Sequence, residues 1–395
     1  MLALALAVAG ALAAYLVLRR QPPPTVRGSP TVEFTPKPPP APPKQPGVFW
    51  PTYGYDPQRT RAVASRLRPP FKRLWTFHGR ALLEFPPVVG YGRVYVTNFG
   101  GRLVSLDART GRARWTYRSY RCGWASPALA AHVVYETFIG NAECHSRFRD
   151  GELVALSALS GRLLWLRKLG PTESSPLVAN GDVYVGDWTG RIYAYDARTG
   201  RVRWTADTDG AVKGSIALAG NRLYIGTYAG SVYSLDARSG RRLWRDGGHG
   251  SLYSSPAVAY DRVYIGSLDG GVYAFGASTG TLRWSEPTGG YVYASPAVWH
   301  GLVLVGSYDH DFYAFDAATG AVRWRFRADA PISGAASVIG DIVYFSSFDE
   351  RTYALAAASG RLLATWPDGK YSPAVSDPKH LYLVGLGRLY ALGER

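Results

Sequence analysis

The sequence predicts an all-β protein, an eight-bladed β-propeller of four-stranded antiparallel blades. Three observations carry that prediction. First, the stretch Leu106-Asp107-Ala108-Arg109-Thr110-Gly111-Arg112-Ala113-Arg114-Trp115 recurs as YDARTGRVRW ending at Trp204, LDARSGRRLW ending at Trp244, FGASTGTLRW ending at Trp284 and FDAATGAVRW ending at Trp324, with looser copies ending at Trp165 and Ala364. Second, its glycines (Gly111, Gly161, Gly200, Gly240, Gly280, Gly320 and Gly360) are spaced by 50, 39, 40, 40, 40 and 40 residues. A fixed period in this range marks a repeat architecture. Third, the two ends of the chain complement each other. Trp75 stands one period before Trp115 but lacks the strands that should precede it, and Tyr371 to Leu392 supplies three strands with no Trp strand after them. Pairing the two halves closes a ring and removes both exposed edges.

Taken in order, the chain opens with an apolar run, Met1 to Leu18, followed by Arg19-Arg20. Its length is at the short end of a membrane span. The competing reading is a cleavable signal peptide ending near Ala11-Leu12-Ala13. No basic residue precedes the run and it continues past that site, so an uncleaved signal-anchor helix over 1–20 is favoured. By flanking charge alone, Arg19-Arg20 would keep the remainder cytoplasmic. Residues 21–47 hold eleven prolines. This linker should be extended, unable to pack a core, and act as a stalk. Residues 48–395 form the propeller, beginning with the lead-in FWPTYGYDPQRTR at Phe49 to Arg61.

Within each unit the strand before the motif is short, alternating and rich in aromatic or β-branched residues. Asp-Ala-x-Thr-Gly is a tight turn: Asp accepts turn amides and Gly supplies a positive φ. The unit ending at Trp284 divides into strands at 253–259, 263–268, 271–277 and 281–286. Ala recurs at one turn position in every copy (Ala108, Ala158, Ala197, Ala237, Ala277, Ala317, Ala357), so something large should rest against it. The repeated Trp of a neighbouring unit is the obvious partner, with its N–H bonded. The docking set is Trp75, Trp115, Trp165, Trp204, Trp244, Trp284 and Trp324.

The net charge is +16. Many arginines sit beside the repeated Trp, as at Arg112, Arg114, Arg201 and Arg203. They read as a solvated rim; attraction to anionic envelope polymers or lipids is the sharper alternative. Nucleic acid is disfavoured because the charge is spread round the repeats.

Ala194-Tyr195-Asp196-Ala197-Arg198-Thr199-Gly200-Arg201-Val202-Arg203-Trp204 resembles the tryptophan-docking motif of quinoprotein (PQQ-type) propellers. From Val48 onward the chain resembles BamB-like propellers of the bacterial envelope. The resemblance implies an eight-bladed ring on the extracytoplasmic side. It does not imply one function, since one fold hosts enzymes, sensors and scaffolds. Quinoprotein dehydrogenases of this kind hold the quinone against a disulfide between adjacent cysteines, with Ca²⁺ nearby. Here the two cysteines, Cys122 and Cys144, are not adjacent, and no acidic cluster has calcium-loop spacing. No cofactor or metal is therefore expected, PQQ being the minority alternative.

Cys122 precedes the innermost strand of the one irregular unit, and Cys144 lies in its insertion. Both belong to the same face of a blade, so a disulfide is expected; two buried free thiols are the alternative. That face also gathers Trp124, Glu173, Lys213, Tyr253, Tyr293 and Lys370 at the channel mouth, joined by Asn98, Asp187, Tyr228, Asp269 and Asp309 from turns. A mixed aromatic and charged rim is a common binding surface; a water-lined funnel without a ligand is the bland alternative. Asp309-His310-Asp311 reads as a solvated turn, and no catalytic motif appears.

The expected function is a non-catalytic scaffold: a monomeric propeller tethered to the cell membrane by a single pass, extracytoplasmic, binding envelope proteins in assembly or sensing. The alternative is a PQQ- or small-ligand-binding propeller with quinoprotein dehydrogenase activity.

Overall fold

The computed structural model describes residues 22–37, 45–140 and 146–394. Its strands form eight sheets, each with four antiparallel strands in up-and-down order. Numbered by their innermost strands, these are blade 1 (Val88–Gly90), blade 2 (Ala128–Ala130), blade 3 (Leu177–Ala179), blade 4 (Ala217–Ala219), blade 5 (Ala257–Ala259), blade 6 (Ala297–Trp299), blade 7 (Ser337–Ile339) and blade 8 (Val375–Ser376). Blade 5 continues with Arg262–Gly266, Gly271–Gly276 and Leu282–Pro287. Its inner strand is shorter than the sequence suggests, because Pro256 has no N–H to give a ladder.

The ring closes as expected. Phe71–His78 pairs antiparallel with Arg388–Glu394, placing Trp75 opposite Ala391. Each repeated Trp reaches into the following blade. Trp75, Trp115, Trp165, Trp204, Trp244, Trp284 and Trp324 donate their indole N–H to the carbonyls of Ala108, Ala158, Ala197, Ala237, Ala277, Ala317 and Ala357, at 3.0–3.1 Å. The ring plane lies on the turn glycine, so close that a Cβ added at Gly200 would stand 2.7 Å from Trp165 Cδ2. This explains the strict Gly, which admits an indole; the Ala contributes its backbone carbonyl. Near the axis, serines pass a second set of bonds between blades. The amides of Ser126, Ser175, Ser215 and Ser255 donate to the hydroxyls of Ser175, Ser215, Ser255 and Ser295 at 2.8–3.0 Å.

The lead-in does more than introduce the ring. Val48–Trp50 adds to the inner edge of blade 1, and Ala62–Val63 adds in parallel to blade 7. Between them the chain runs round the axis from blade 1 to blade 7. The carbonyls of Pro51, Pro57, Gln58, Thr60 and Arg61 accept the amides of Leu129, Leu218, Val258, Val298 and Val338 at 2.7–2.9 Å. Inner strands would otherwise leave these amides unpaired. Arg59 and Arg61 are buried in this plug. Arg59 donates to the carbonyls of Ile216 (2.8 Å), Ser175 (3.3 Å) and Tyr53. Burial first, and then the charge of Arg61, bring the Arg59 guanidinium down to about 9.

The Pro-rich linker requires a correction. Its described part is extended, but it is not a free stalk: residues 22–37 lie along the flank of blade 5 as a strap. Val26 and Ser285 exchange backbone bonds of 2.9 and 3.0 Å, and Arg27 pairs with Glu286 at 2.7 Å. Prolines prevent the segment from building its own core, yet Val26, Arg27, Glu33 and Phe34 give it handles on an existing one.

Among the described residues no helix is long and apolar enough to cross a membrane. The signal anchor read over 1–20 lies outside the described residues, as does Cys144. Cys122 is fully buried and not free, and its backbone pairs with Ile139 at 2.8 and 3.0 Å.

Candidate functional site

The mouth of the channel, on the face of the blade-to-blade links, is walled by aromatic rings. The tip of each turn between the second and third strands is pinned to the preceding link. The amides of Trp188, Tyr228, Tyr308 and Phe348 donate to the carbonyls of Pro171, Ala211, Tyr291 and Pro331 at 2.8–3.0 Å. That bond fixes the tip residue above the channel in blade after blade. Tyr253 and Tyr293 come from the links themselves.

The rings touch in sequence. Centroids of Tyr253 and Tyr293 are 5.4 Å apart, Tyr293 and Tyr308 4.9 Å, Tyr308 and Phe348 5.5 Å, and Phe348 and Tyr371 5.6 Å. Most pairs are edge-to-face or tilted, the arrangement the ring quadrupole favours. A lysine sits at each end of this arc. Lys213 Nζ lies 4.4, 4.8 and 5.6 Å from the rings of Trp188, Tyr228 and Tyr253. Lys370 Nζ lies 5.5 and 5.4 Å from Phe348 and Tyr371. Cation–π attraction holds both amines over the rings.

Glu173 is buried at the Lys213 end. It accepts from Trp188 Nε1 at 3.0 Å and Tyr253 Oη at 2.6 Å, and Lys213 stands 3.6 Å away. Burial pushes its carboxyl up, and these three partners offset that only in part. The carboxylate organises the wall and offers little to a ligand.

The structure thus brings Glu173, Lys213, Tyr228, Tyr253, Tyr293 and Lys370 together at the mouth. Trp124 stands apart from this arc, its ring 5.5 Å from Phe99 and its buried indole nitrogen without a hydrogen-bond partner among the described residues. Asp187, Asp269 and Asp309 serve the scaffold. Each ties a link amide to its own turn: Gly170, Gly250 and Gly289 donate to them at 3.0, 2.8 and 2.6 Å. Each also takes a tyrosine hydroxyl, from Tyr193, Tyr273 and Tyr313 at 2.9, 2.7 and 2.7 Å. Asn98 does the equivalent in blade 1, donating to Gly79 O at 2.6 Å. Sequence reasoning missed Trp188, Tyr308, Phe348 and Tyr371. The signal was present: aromatic residues at 188, 228, 308 and 348 follow the forty-residue period, interrupted only by Leu268.

The family profile described as "Outer membrane protein assembly factor BamB" matches residues 63–143, 149–290 and 229–367. The chain belongs to this family. A relative with the same description, from Burkholderia pseudomallei, is 27% identical over 150 residues, covering 35% of this chain and 38% of the relative. The dehydrogenase subunit of alcohol dehydrogenase (quinone) from Gluconobacter oxydans is 31% identical over 140 residues, 31% of this chain and 18% of its own length. The chain therefore spans well under half of these curated relatives. The crystal structure of BamB from Moraxella catarrhalis superposes with a TM-score of 0.69 at 18% identity, covering 82% of this chain and 99% of that one. This likeness establishes the fold. BamB proteins and quinone-dependent dehydrogenases stand equally near, so descent does not choose between scaffold and enzyme.

Proposed function

We propose that this BamB-family propeller is a non-catalytic binding scaffold of the cell envelope, tethered to the membrane by residues 1–20 with its ring on the extracytoplasmic side. In this reading the aromatic arc from Trp188 to Tyr371 docks a segment of a partner protein. The observation that carries it is the division of labour at the mouth. The carboxylates of Glu173, Asp187, Asp269 and Asp309 are committed to protein donors, whereas Tyr228 and Tyr291 stand 41% exposed. Tyrosine and tryptophan side chains are among those that most often anchor protein interfaces.

The quinone-dependent relatives motivate a second reading, a propeller that binds PQQ and Ca²⁺. Two observations weigh against that pair. Among the described residues no group of three His, Cys, Asp or Glu side chains could hold a metal ion together. Glu173, the carboxylate at the Lys213 end of the arc, is already engaged by Tyr253 and Trp188, while Glu84 acts electrostatically on Tyr253, Tyr308 and Tyr371.

A photo-crosslinking residue at Tyr228 or Tyr291, introduced into the full chain in its native envelope, tests the proposal. One defined protein adduct is expected at these positions, none at Arg201 on the outer rim, and less after Lys213→Ala. Adducts distributed equally over mouth and rim would sink the scaffold reading. Dye reduction that appears only with PQQ, Ca²⁺ and an alcohol would establish the other.

A further inference from the structure

The Asp of the repeated turn has one job. In blade 1, Asp107 Oδ1 accepts the amides of Arg109 (3.1 Å) and Thr110 (2.9 Å) and the Thr110 hydroxyl (2.9 Å), while Oδ2 pairs with Arg114 (2.5 Å). In blade 6, Asp316 takes Ala318 (3.0 Å), Thr319 (2.8 and 2.9 Å) and Arg323 (2.7 Å) in the same way. The partners stand two, three and seven residues after the Asp.

Blade 5 has Gly276 at this position, yet it keeps the donors at those offsets: Ser278, Thr279 and Arg283. They are not left unpaired. Glu33, from the strap, takes all of them. Its Oε1 accepts the amides of Ser278 and Thr279, each at 3.2 Å, and the Ser278 hydroxyl. Its Oε2 accepts the Thr279 hydroxyl at 2.8 Å and Arg283 Nε at 3.0 Å, with a further short contact from Arg283 Nη2. A Cβ on residue 276 would collide with this carboxylate. The missing side chain and the incoming one occupy one place.

The rest of the strap is fitted to the same blade. Arg262 is fully buried beneath it and donates to the carbonyls of Ser29 (2.8 Å) and Val32 (2.9 Å). Phe34 packs on Tyr260 at 5.4 Å. Trp284 is 0% exposed, whereas Trp165 keeps 8%. The strap also has a direction. Pro23 adjoins Gly271 at the mouth end of the blade, and Thr35 bonds Tyr260 O at the opposite end, 3.2 Å.

We infer that blade 5 carries a receptor site for a glutamate on an extended segment, that the chain's own strap fills it, and that this lock makes the polypeptide leave toward its N-terminus at the rim of the aromatic mouth. A partner docking in the mouth then meets the mouth end of the strap at Pro23; this last point rests on the scaffold reading above.

The experiment uses the full chain and needs no partner, so its outcome is independent of that reading. Glu33→Ala, Gly276→Asp and the double variant are compared by the rate of tryptic cleavage after Arg27 and by melting temperature. Losing a carboxylate bonded to Arg283 and two turn residues should speed cleavage at least about tenfold, because cleavage reports local release of the strap. Gly276→Asp should speed it similarly, by filling the place of Glu33. The signature is non-additive coupling: in the Gly276→Asp background, removing Glu33 should leave the melting temperature unchanged or raise it, whereas in the parent chain it lowers it. Should Glu33→Ala prevent folding, Glu33→Gln gives the same comparison with a smaller rise in cleavage. Equal melting losses in both backgrounds, or cleavage unchanged by either single variant, would overturn the inference.

Discussion

Gly200 and Gly181 belong to the same blade and both have a positive φ, +67° and +83°. Their surroundings differ. A Cβ at Gly181 meets nothing within 4 Å, whereas one at Gly200 stands 2.7 Å from Cδ2 and 2.8 Å from Cε3 of Trp165. Replacing each by Ala separates backbone strain from indole docking. The left-handed backbone alone costs an L-residue about 1–2 kcal/mol. Gly181→Ala should show only that, since blade 5 has Asp261 at the equivalent position with φ 60°. Gly200→Ala pays the same and also displaces the Trp165 ring. It loses the 3.0 Å bond to Ala197 O, worth about 1 kcal/mol, and strains a packed contact by about 1–3 kcal/mol. The difference between the variants should therefore be about 2–4 kcal/mol. Urea unfolding monitored by tryptophan emission measures it. Two variants within about 0.5 kcal/mol of each other would refute the view that the indoles lock neighbouring blades together.

Three further outcomes follow from the same geometry. Non-reducing peptide mapping should recover Cys122 linked to Cys144, and Cys144→Ser should cost about 3 kcal/mol; two alkylatable thiols in the native protein would exclude the bond. Glu136 is fully buried, its hydrogen-bond partners among the described residues are Thr97 and Thr137, and burial pushes its carboxyl well above the usual range. The folded state then holds a proton that the unfolded state has lost, so stability should fall as pH rises from about 4.5, by up to about 1.4 kcal/mol per unit; Glu136→Gln should flatten that slope in urea titrations. For Glu33 the sign is opposite. Burial raises its pKa, but Ser278, Arg283 and Thr279 outweigh it and hold the group at about 2. Its contribution is present above the ordinary carboxylate range and lost as pH falls through it toward about 2; exchange of the Val26 and Gly28 amides, corrected for intrinsic rate, should accelerate across that window.

The ring was legible because its cause is local and repeated. A Trp, an Ala and a Gly at fixed offsets report one contact many times over, and the orphan Trp75 strand reported the closure. The strap was not legible for the opposite reason. Glu33 meets Arg283 across 250 residues, once, and nothing in the Pro-rich composition around it signals a docked segment. The mouth lies between these cases. Glu173 and Lys213 lie in blade-to-blade links, which topology assigns to the mouth face, but the aspartates beside them look like ligand groups until their hydrogen bonds are known. Their partners, backbone amides and tyrosine hydroxyls, carry no sequence signature of their own.

The departures from the repeat show what the fold requires. The donors in each turn and link need a carboxylate, and its origin along the chain is secondary. In blades 5, 6 and 7 the strand tyrosines Tyr273, Tyr313 and Tyr353 find Asp269, Asp309 and Asp349 in their own turns. In blade 8, Tyr390 finds Asp368 in the link before it, at 2.5 Å. In blade 4 the turn has Thr227 instead, and Asp209 from the link accepts Thr227 (2.9 Å) and Ser231 (2.5 Å). Glu33 is the extreme case, drawn from outside the repeats altogether. Ser278 and Thr279 stand at the surface, so water could serve them; what marks this turn is that its donors keep the same offsets around Gly276 and meet one carboxylate from elsewhere in the chain. Read this way, FGASTGTLRW is not a degenerate copy of the repeat. It is a turn with a vacancy of defined charge and size, and the strap is the segment of this chain that matches it.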